Sequence, residues 1–262
     1  MTSSSTLWGS RVPTSVAGRW ARQILASVLV NSLYAMKNYP VVLINTMLSP
    51  ISFLIIVNFV SKGGLLSQAI EGAYIMSMFS SGMGLQADLS HLKNDFKIQD
   101  MVVSSPASAG AYVFGMAVSE LVYAVPALVT LAVLMVVVIH PSAFQAAELL
   151  AVMLLMFTTS VTLGFTLSTF SSDIVQSFAF SGLISTLFTT LPPVYYPITY
   201  IPLPYQYLAY LSPTTYAAEI AQSSTGLLQV STLSLAVAWL VLVAVTVFFA
   251  TIAVKKARWR EV

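Results

Sequence analysis

The sequence predicts an all-α integral membrane protein with six transmembrane helices, and three observations carry that class. The 262 residues are 57% hydrophobic and 8% charged, with a mean hydropathy of +0.85, whereas a soluble domain has roughly 25% charged residues. Long apolar runs recur along the whole chain. If they are six spans, ten of the eleven Lys and Arg residues fall on one side of the membrane. Arg11, Arg19, Arg22 and Lys37 precede the first run, Lys93 and Lys97 lie between the second and third, and Lys255, Lys256, Arg258 and Arg260 follow the last; only Lys62 falls opposite. Cytoplasmic loops hold the Lys/Arg excess of membrane proteins. The expectation is therefore a multi-pass protein of the cell membrane with both termini in the cytoplasm.

Composition also excludes. At about 20 residues per spanning helix, the length leaves room for six spans and a modest outer element, so residues 1–262 are expected to form a single membrane domain. The net charge of +2 follows from topology alone, and no nucleic-acid partner is implied. With no Cys, disulfides, thiolate metal sites and a cysteine nucleophile are ruled out. The polar first eighteen residues contain no apolar core, so a cleaved signal peptide is not expected.

Residues 16 to 38 place Trp20, Ile24, Val28 and Leu33 on one side at the helical period, with Arg19, Arg22, Gln23 and Asn31 between them. That pattern predicts a helix lying in the inner membrane interface. Pro40 suits the first turn of a span over about 41–60, and a second span is expected over about 72–89. Between spans two and three lies the densest charge cluster outside the termini, His91 to Ser108. Phe96, Gln99, Asp100 and Val103 share one helical side and Ile98, Met101 and Val102 another, so a short amphipathic cytosolic helix is predicted, ended by Pro106.

The third span, about 107–139, comprises some 33 residues. At 1.5 Å per residue that is about 50 Å against a hydrocarbon core of about 30 Å, so its first turns should project into the cytosol. After a turn at His140 and Pro141, spans are expected over about 147–170 and 174–191, joined by a tight turn at Ser171, Ser172 and Asp173. The following stretch, LPPVYYPITYIPLPYQYLAYLSPTTYAAE, holds six of the twelve prolines and seven of the twelve tyrosines. Proline at these intervals forbids a continuous span, and Tyr favours the membrane boundary; short helices re-entering the outer leaflet are predicted. A sixth span is expected over about 233–254.

The chemistry available is sparse. No Lys follows a Gly, so there is no P-loop, and any ATP must be bound by another subunit. His91 and His140 lie at opposite ends, which leaves no metal site and no base for a membrane Ser. Glu120 is the one acidic residue read inside an apolar run, where it is either an ion-coupling group or a carboxylate at the inner boundary. Small polar residues form stripes: Ser177, Ser181, Ser185 and Thr189 on span five, Thr158, Thr162 and Thr166 on span four, and Asn45, Ser49 and Ser52 on span one. Such stripes let helices pack closely and hydrogen-bond, or they line a path for a polar or amphipathic substrate.

Two segments carry a resemblance. The stretch DFKIQDMVVSSPAS, Asp95 to Ser108, resembles the coupling helix of the type-2 ABC transporter permease family, and YYPITYIPLPYQYLAYLSPTTYAAE, Tyr195 to Glu219, resembles that family's aromatic and Pro-rich outer stretch. That stretch closes with Asn-Pro-x-Thr-Tyr in the family; here Ser212 stands for Asn, and Thr215 and Tyr216 match. In place of the family's frequent Glu-Arg-Glu and Gly-Thr, this chain has Asn94, Asp95, Phe96 and Lys97.

The resemblance implies the membrane half of an ABC exporter for lipid-like, drug-like or glycan substrates. Such a subunit works by alternating access with a second permease copy or paralogue and two ABC ATPase subunits, which bind ATP and Mg; this chain would bind no cofactor and catalyse nothing itself. It also implies that Asn94, Asp95, Phe96, Lys97, Ile98, Gln99, Asp100 and Met101 couple to the ATPase, and that Tyr195, Tyr196, Pro202, Pro204 and Tyr216 form an outer gate or a membrane anchor. The polar stripes would then border the path. An ion-coupled secondary transporter and a non-transporting assembly subunit are the alternative readings.

Overall fold

The computed structural model describes residues 16–94, 109–171, 173–190 and 192–256, and every regular element among them is helical. The N-terminal helix is α1 (Val16–Val28), continued through one π-helical turn (Leu29–Leu33) into α2 (Tyr34–Asn38). Six long helices follow among the described residues: α3 (Val41–Val60), α4 (Leu66–Asn94), α5 (Ala109–Val138), α6 (Ala143–Phe170), α7 (Ile174–Thr190) and, after a break, α10 (Thr232–Lys256). The break holds a 3-10 turn (Ile198–Tyr200), α8 (Gln206–Ala209) and α9 (Pro213–Ser224). Residues 95 to 108, where the coupling helix is expected, lie outside the described residues.

Helix boundaries follow local chemistry. Ser142 caps α6 by accepting from Gln145 N at 3.3 Å while Gln145 Oε1 accepts from Ser142 N at 2.8 Å, a reciprocal box that satisfies two otherwise open amides. That starts α6 four residues before the expected 147. The second span is longer than expected at both ends, because Leu66 to Glu71 and Ser90 to Asn94 continue the helix.

Among the described residues, three helices are long and apolar enough to cross a membrane by length and composition: 110–138, 143–170 and 232–255. Their outer faces are apolar as well. On α5, Val125, Val129, Val133 and Val136 are all exposed, and their spacing of three to four residues makes one lipid-compatible stripe. By contrast α4 is rich in Ser, Gly and Gln, and it sits at the centre, packing on α3, α5, α6, α7 and α9. Its Ser77, Gln86 and Ser90 are turned into protein, where they find hydrogen-bond partners.

The main core gathers Ile70, Ile75 and Phe79 of α4, Leu131 and Met135 of α5, Val152, Met153 and Met156 of α6, and Ile220 and Leu242 from α9 and α10. The crossing of α4 on α6 is close enough to require glycine. A Cβ on Gly82 would lie 2.8 Å from Val161 N and 2.9 Å from Phe157 O, both backbone atoms that cannot swing aside. From the opposite helix, Gly164 approaches Gly82 O in the same way.

The N-terminal helix is more than a raft on the bilayer. Its Trp20, Ile24 and Ser27 lie against Gly110 and Gly115 of α5, while Leu25, Leu29, Val30 and Leu33 stay exposed. Asn31 Nδ2 donates to Met116 Sδ at 3.0 Å and Ser32 Oγ donates to the Ser119 carbonyl at 2.7 Å. The apolar side predicted to face lipid is thus partly packed on α5 and partly exposed.

Candidate functional site

Where α3, α4 and α5 diverge they leave a cavity of about 400 Å³, within the usual size of ligand sites, about 300–1,000 Å³. Each wall is one helical face. Thr46, Pro50 and Phe53 recur at turn spacing on α3, Met76, Ser77, Ser80 and Ser81 lie on α4, and Glu120, Tyr123, Ala124 and Ala127 on α5. Pro50 withholds one N–H from the α3 ladder where that helix borders the cavity.

One end of the cavity is aromatic. Tyr195, a buried residue in the break between α7 and α10, stacks on Phe53 with ring centroids 5.3 Å apart and planes 13° apart. Offset stacking of this kind adds about 0.5–1.5 kcal/mol beyond burial. The other end holds Glu120, whose carboxyl sits over Gly84: a Cβ there would meet Glu120 Oε2 at 2.7 Å. Glu120 shares a hydrogen bond with Asp88 of α4, one turn beyond Gly84, and Asp88 is exposed. Ser32, in the π-helical turn after α1, holds the Ser119 carbonyl and so ties the N-terminal helix to the turn that presents Glu120.

The predicted site residues distribute unevenly around this cavity. Tyr195 borders it. Ser177 and Ser181 instead join α7 to α4: Gln86 Nε2 donates to the Ser177 carbonyl at 2.8 Å and to Ser177 Oγ at 3.0 Å, Ser177 Oγ donates to Ser90 Oγ at 2.8 Å, and Ser181 Oγ donates to Gln86 Oε1. Ser185 is half-buried on the same helix. On α6, exposed Thr158 donates to its own helix at Leu154 O and Thr162 to Thr159 O. The contacts to α10 come from Thr159, 2.6 Å from Thr246 Oγ1, and from Thr166, which donates to Phe249 O at 3.1 Å. The side chains of Asn45, Ser49, Asn94 and Thr189 lie outside the described residues, as do Asp95, Phe96, Lys97, Ile98, Gln99, Asp100 and Met101 entirely.

The Pro/Tyr segment caps one end of the bundle. Pro202 and Pro204 are exposed and Tyr216 half-buried; Tyr196 and Tyr200 lie 6.4 Å apart, and Tyr210 and Tyr216 5.6 Å. Ser212 accepts from Thr214 N at 3.3 Å as the N-cap of α9. Ser and Asn are near-equivalent caps, which explains why Ser stands where the resemblance has Asn. Glu219 of α9 accepts from the Tyr210 hydroxyl at 2.7 Å, and burial pushes its carboxyl above the ordinary range. Thr225 donates to Glu71 at 2.7 Å and Gln145 Nε2 to the Ser224 carbonyl at 3.0 Å, so the starts of α4 and α6 meet the end of α9 at this cap.

Asp88 was the residue that sequence reasoning missed. Its signal was its position inside a predicted span, where an ionisable side chain is a functional flag by default. The model of the ABC-2 type transporter family matches residues 10–225, from before α1 to the end of α9. No curated protein matches the chain. A match over most of the length, on a helical fold with membrane-compatible faces, shows that the chain belongs to the ABC-2 type transporter family and is a multi-pass permease subunit, whose family implies an ABC ATPase as partner.

Proposed function

We propose that the chain is the membrane half of an ATP-driven exporter and that the cavity between α3, α4 and α5 is its substrate chamber, worked by alternating access. One observation carries this reading: the cavity is polar and carboxyl-lined toward Asp88 and closed at the other end by the Phe53–Tyr195 stack. The Lys/Arg distribution puts the Asp88 end in the cytosol, so the chamber is open inward and gated outward. Both chain termini lie on the same cytoplasmic side of the cell membrane.

Two ATPase subunits bind ATP and Mg and perform hydrolysis; this chain performs none. A second permease, a copy or a paralogue, completes the transporter. Closure of the ATPases moves the segment Asp95 to Ser104 and with it α5, which forms one wall of the chamber. A ligand or nucleotide shifts such an equilibrium only through different contacts in the two states, and separating Phe53 from Tyr195 supplies that difference at the gate.

The test uses the absence of Cys. A Ser80→Cys variant, assembled with its ATPase in membranes, is expected to react with a small maleimide from the cytosolic side without nucleotide and to lose that reactivity when ATP is trapped on the ATPase. Equal reactivity in both states would remove alternating access from the reading.

A further inference from the structure

The chamber's lining specifies a sign of charge. No Lys, Arg or His lines it among the described residues, and its one ionisable wall group besides Tyr is Glu120. We propose that the chamber binds monocationic amphiphiles, amines joined to an aromatic or aliphatic body, with the Glu120–Asp88 carboxyl pair as their counter-charge. The proposal rests on the reading of the cavity as a binding chamber.

Three features converge on it. The first is position. A carboxyl group within a membrane helix is costly unless it faces protein or a water-filled cavity and is paired there, and Glu120 faces the cavity with Asp88 as its only carboxyl partner among the described residues. The pair is not a closed staple between α4 and α5, because Asp88 is exposed and Glu120 half-buried. The pair therefore remains accessible to a cation in the cavity that Glu120 lines.

The second feature is the space reserved for the carboxyl. Gly84 leaves Glu120 the room that a Cβ would take, and the Ser32 bond to the Ser119 carbonyl fixes the α5 turn that carries it. An ammonium group at Glu120 would also come within reach of Ser80 and Ser81, one turn away on α4, about 6 Å along the axis. Serine hydroxyls accept the remaining ammonium hydrogens.

The third feature is the gradient of polarity. Beyond the serines the walls become Ala124, Ala127 and Met76 and end at the Phe53–Tyr195 stack. An apolar body buries its surface there, and an aromatic one stacks on the gate rings. An anion with the same body meets an uncompensated carboxylate. A neutral molecule leaves that charge without a partner in a site of reduced dielectric, which is unfavourable.

The experiment reads occupancy rather than transport, so it needs neither ATPase nor nucleotide. The full chain carrying Ser80→Cys is treated with N-ethylmaleimide in membranes at pH 7, in the presence of 2-(1-naphthyl)ethylamine or of 2-(1-naphthyl)ethanol, which share one body and differ in charge. The amine is expected to slow labelling at concentrations about tenfold below those of the alcohol. With Asp88→Asn and Glu120→Gln added, the two compounds should protect alike. Both carboxyls are replaced because either one alone would leave an acidic group at the cavity.

Equal protection by amine and alcohol in the protein that retains both carboxyls overturns the proposal, as does an amine advantage that survives neutralisation. If the neutralised protein does not accumulate, the comparison in the acidic protein decides alone. Amine-selective protection without nucleotide-dependent reactivity would keep the site and remove the exporter reading; the reverse would keep the exporter and remove the site.

Discussion

Glu219 shows how a single carboxyl can limit the stability of the cap. It is buried and bonded to the Tyr210 hydroxyl at 2.7 Å; burial raises its pKa above the ordinary 4.5 and the hydroxyl offsets only part of that. A raised acid is better tolerated protonated, so its contribution to stability is fully present below about pH 4.5 and is lost as pH rises through the folded-state value. Glu219→Gln keeps an oxygen for Tyr210 and removes the ionisation. The variant is expected to melt a few degrees above wild type at pH 8, with the difference vanishing by pH 4, in thermal unfolding of the detergent-solubilised protein. Tyr210→Phe should do the opposite at neutral pH, costing about 1–3 kcal/mol by leaving a buried acceptor without its donor.

At the scale of elements, α4 reverses the usual reading of a span. Its Ser, Gly and Gln residues make it the least apolar of the six long helices among the described residues, yet it packs on more of the other described elements than any of them. Gly82→Ala would press a methyl onto the α6 backbone at 2.8 Å and is expected to cost about 1–3 kcal/mol, visible as a lower melting temperature with unchanged membrane insertion. Gln86→Leu should destabilise too, because Ser177 and Ser181 lose their shared partner on α4. The sequence made the small-residue stripes and the approximate helix ends legible, since both follow from periodicity and caps. It did not say which helix each stripe faces. Ser177 and Ser181 read as packing or as lining until Gln86 is placed opposite them, about 90 positions away. Likewise the pairing of Asp88 with Glu120 and the chamber itself arise from the crossing of three helices, which a one-dimensional pattern does not contain.

At the scale of the whole molecule, orientation and coupling remain properties of the chain in its membrane and its complex. Three single-cysteine variants read the orientation: Ser224→Cys at the end of α9 is expected to react with an impermeant thiol reagent from outside sealed cells, and Lys97→Cys and Lys256→Cys only after the membrane is opened. Labelling of Lys97→Cys in sealed cells would invert the assignment of the chamber mouth.

Docking of the ATPase is the step that converts this fold into a machine, and Phe96 is the residue through which we expect it. Phe96 follows Asn94, where α4 ends, in the segment that the Lys/Arg pattern leads us to expect in the cytosol. An aromatic side chain in such a place is the usual form of an anchor filling a partner's pocket. Introducing a carboxylate there would require burying an unpaired charge in the contact, which costs far more than the lost ring packing. Phe96→Asp should therefore still insert with unchanged cysteine topology while its binding to the ATPase falls by at least tenfold, about 1.4 kcal/mol, and substrate no longer stimulates hydrolysis. Pull-down and ATPase assays on the purified variant check this: if partner binding and substrate-coupled hydrolysis are both normal, Phe96 merely rests on the inner membrane surface, and the coupling contact has to be sought among Asp95, Lys97 and Asp100.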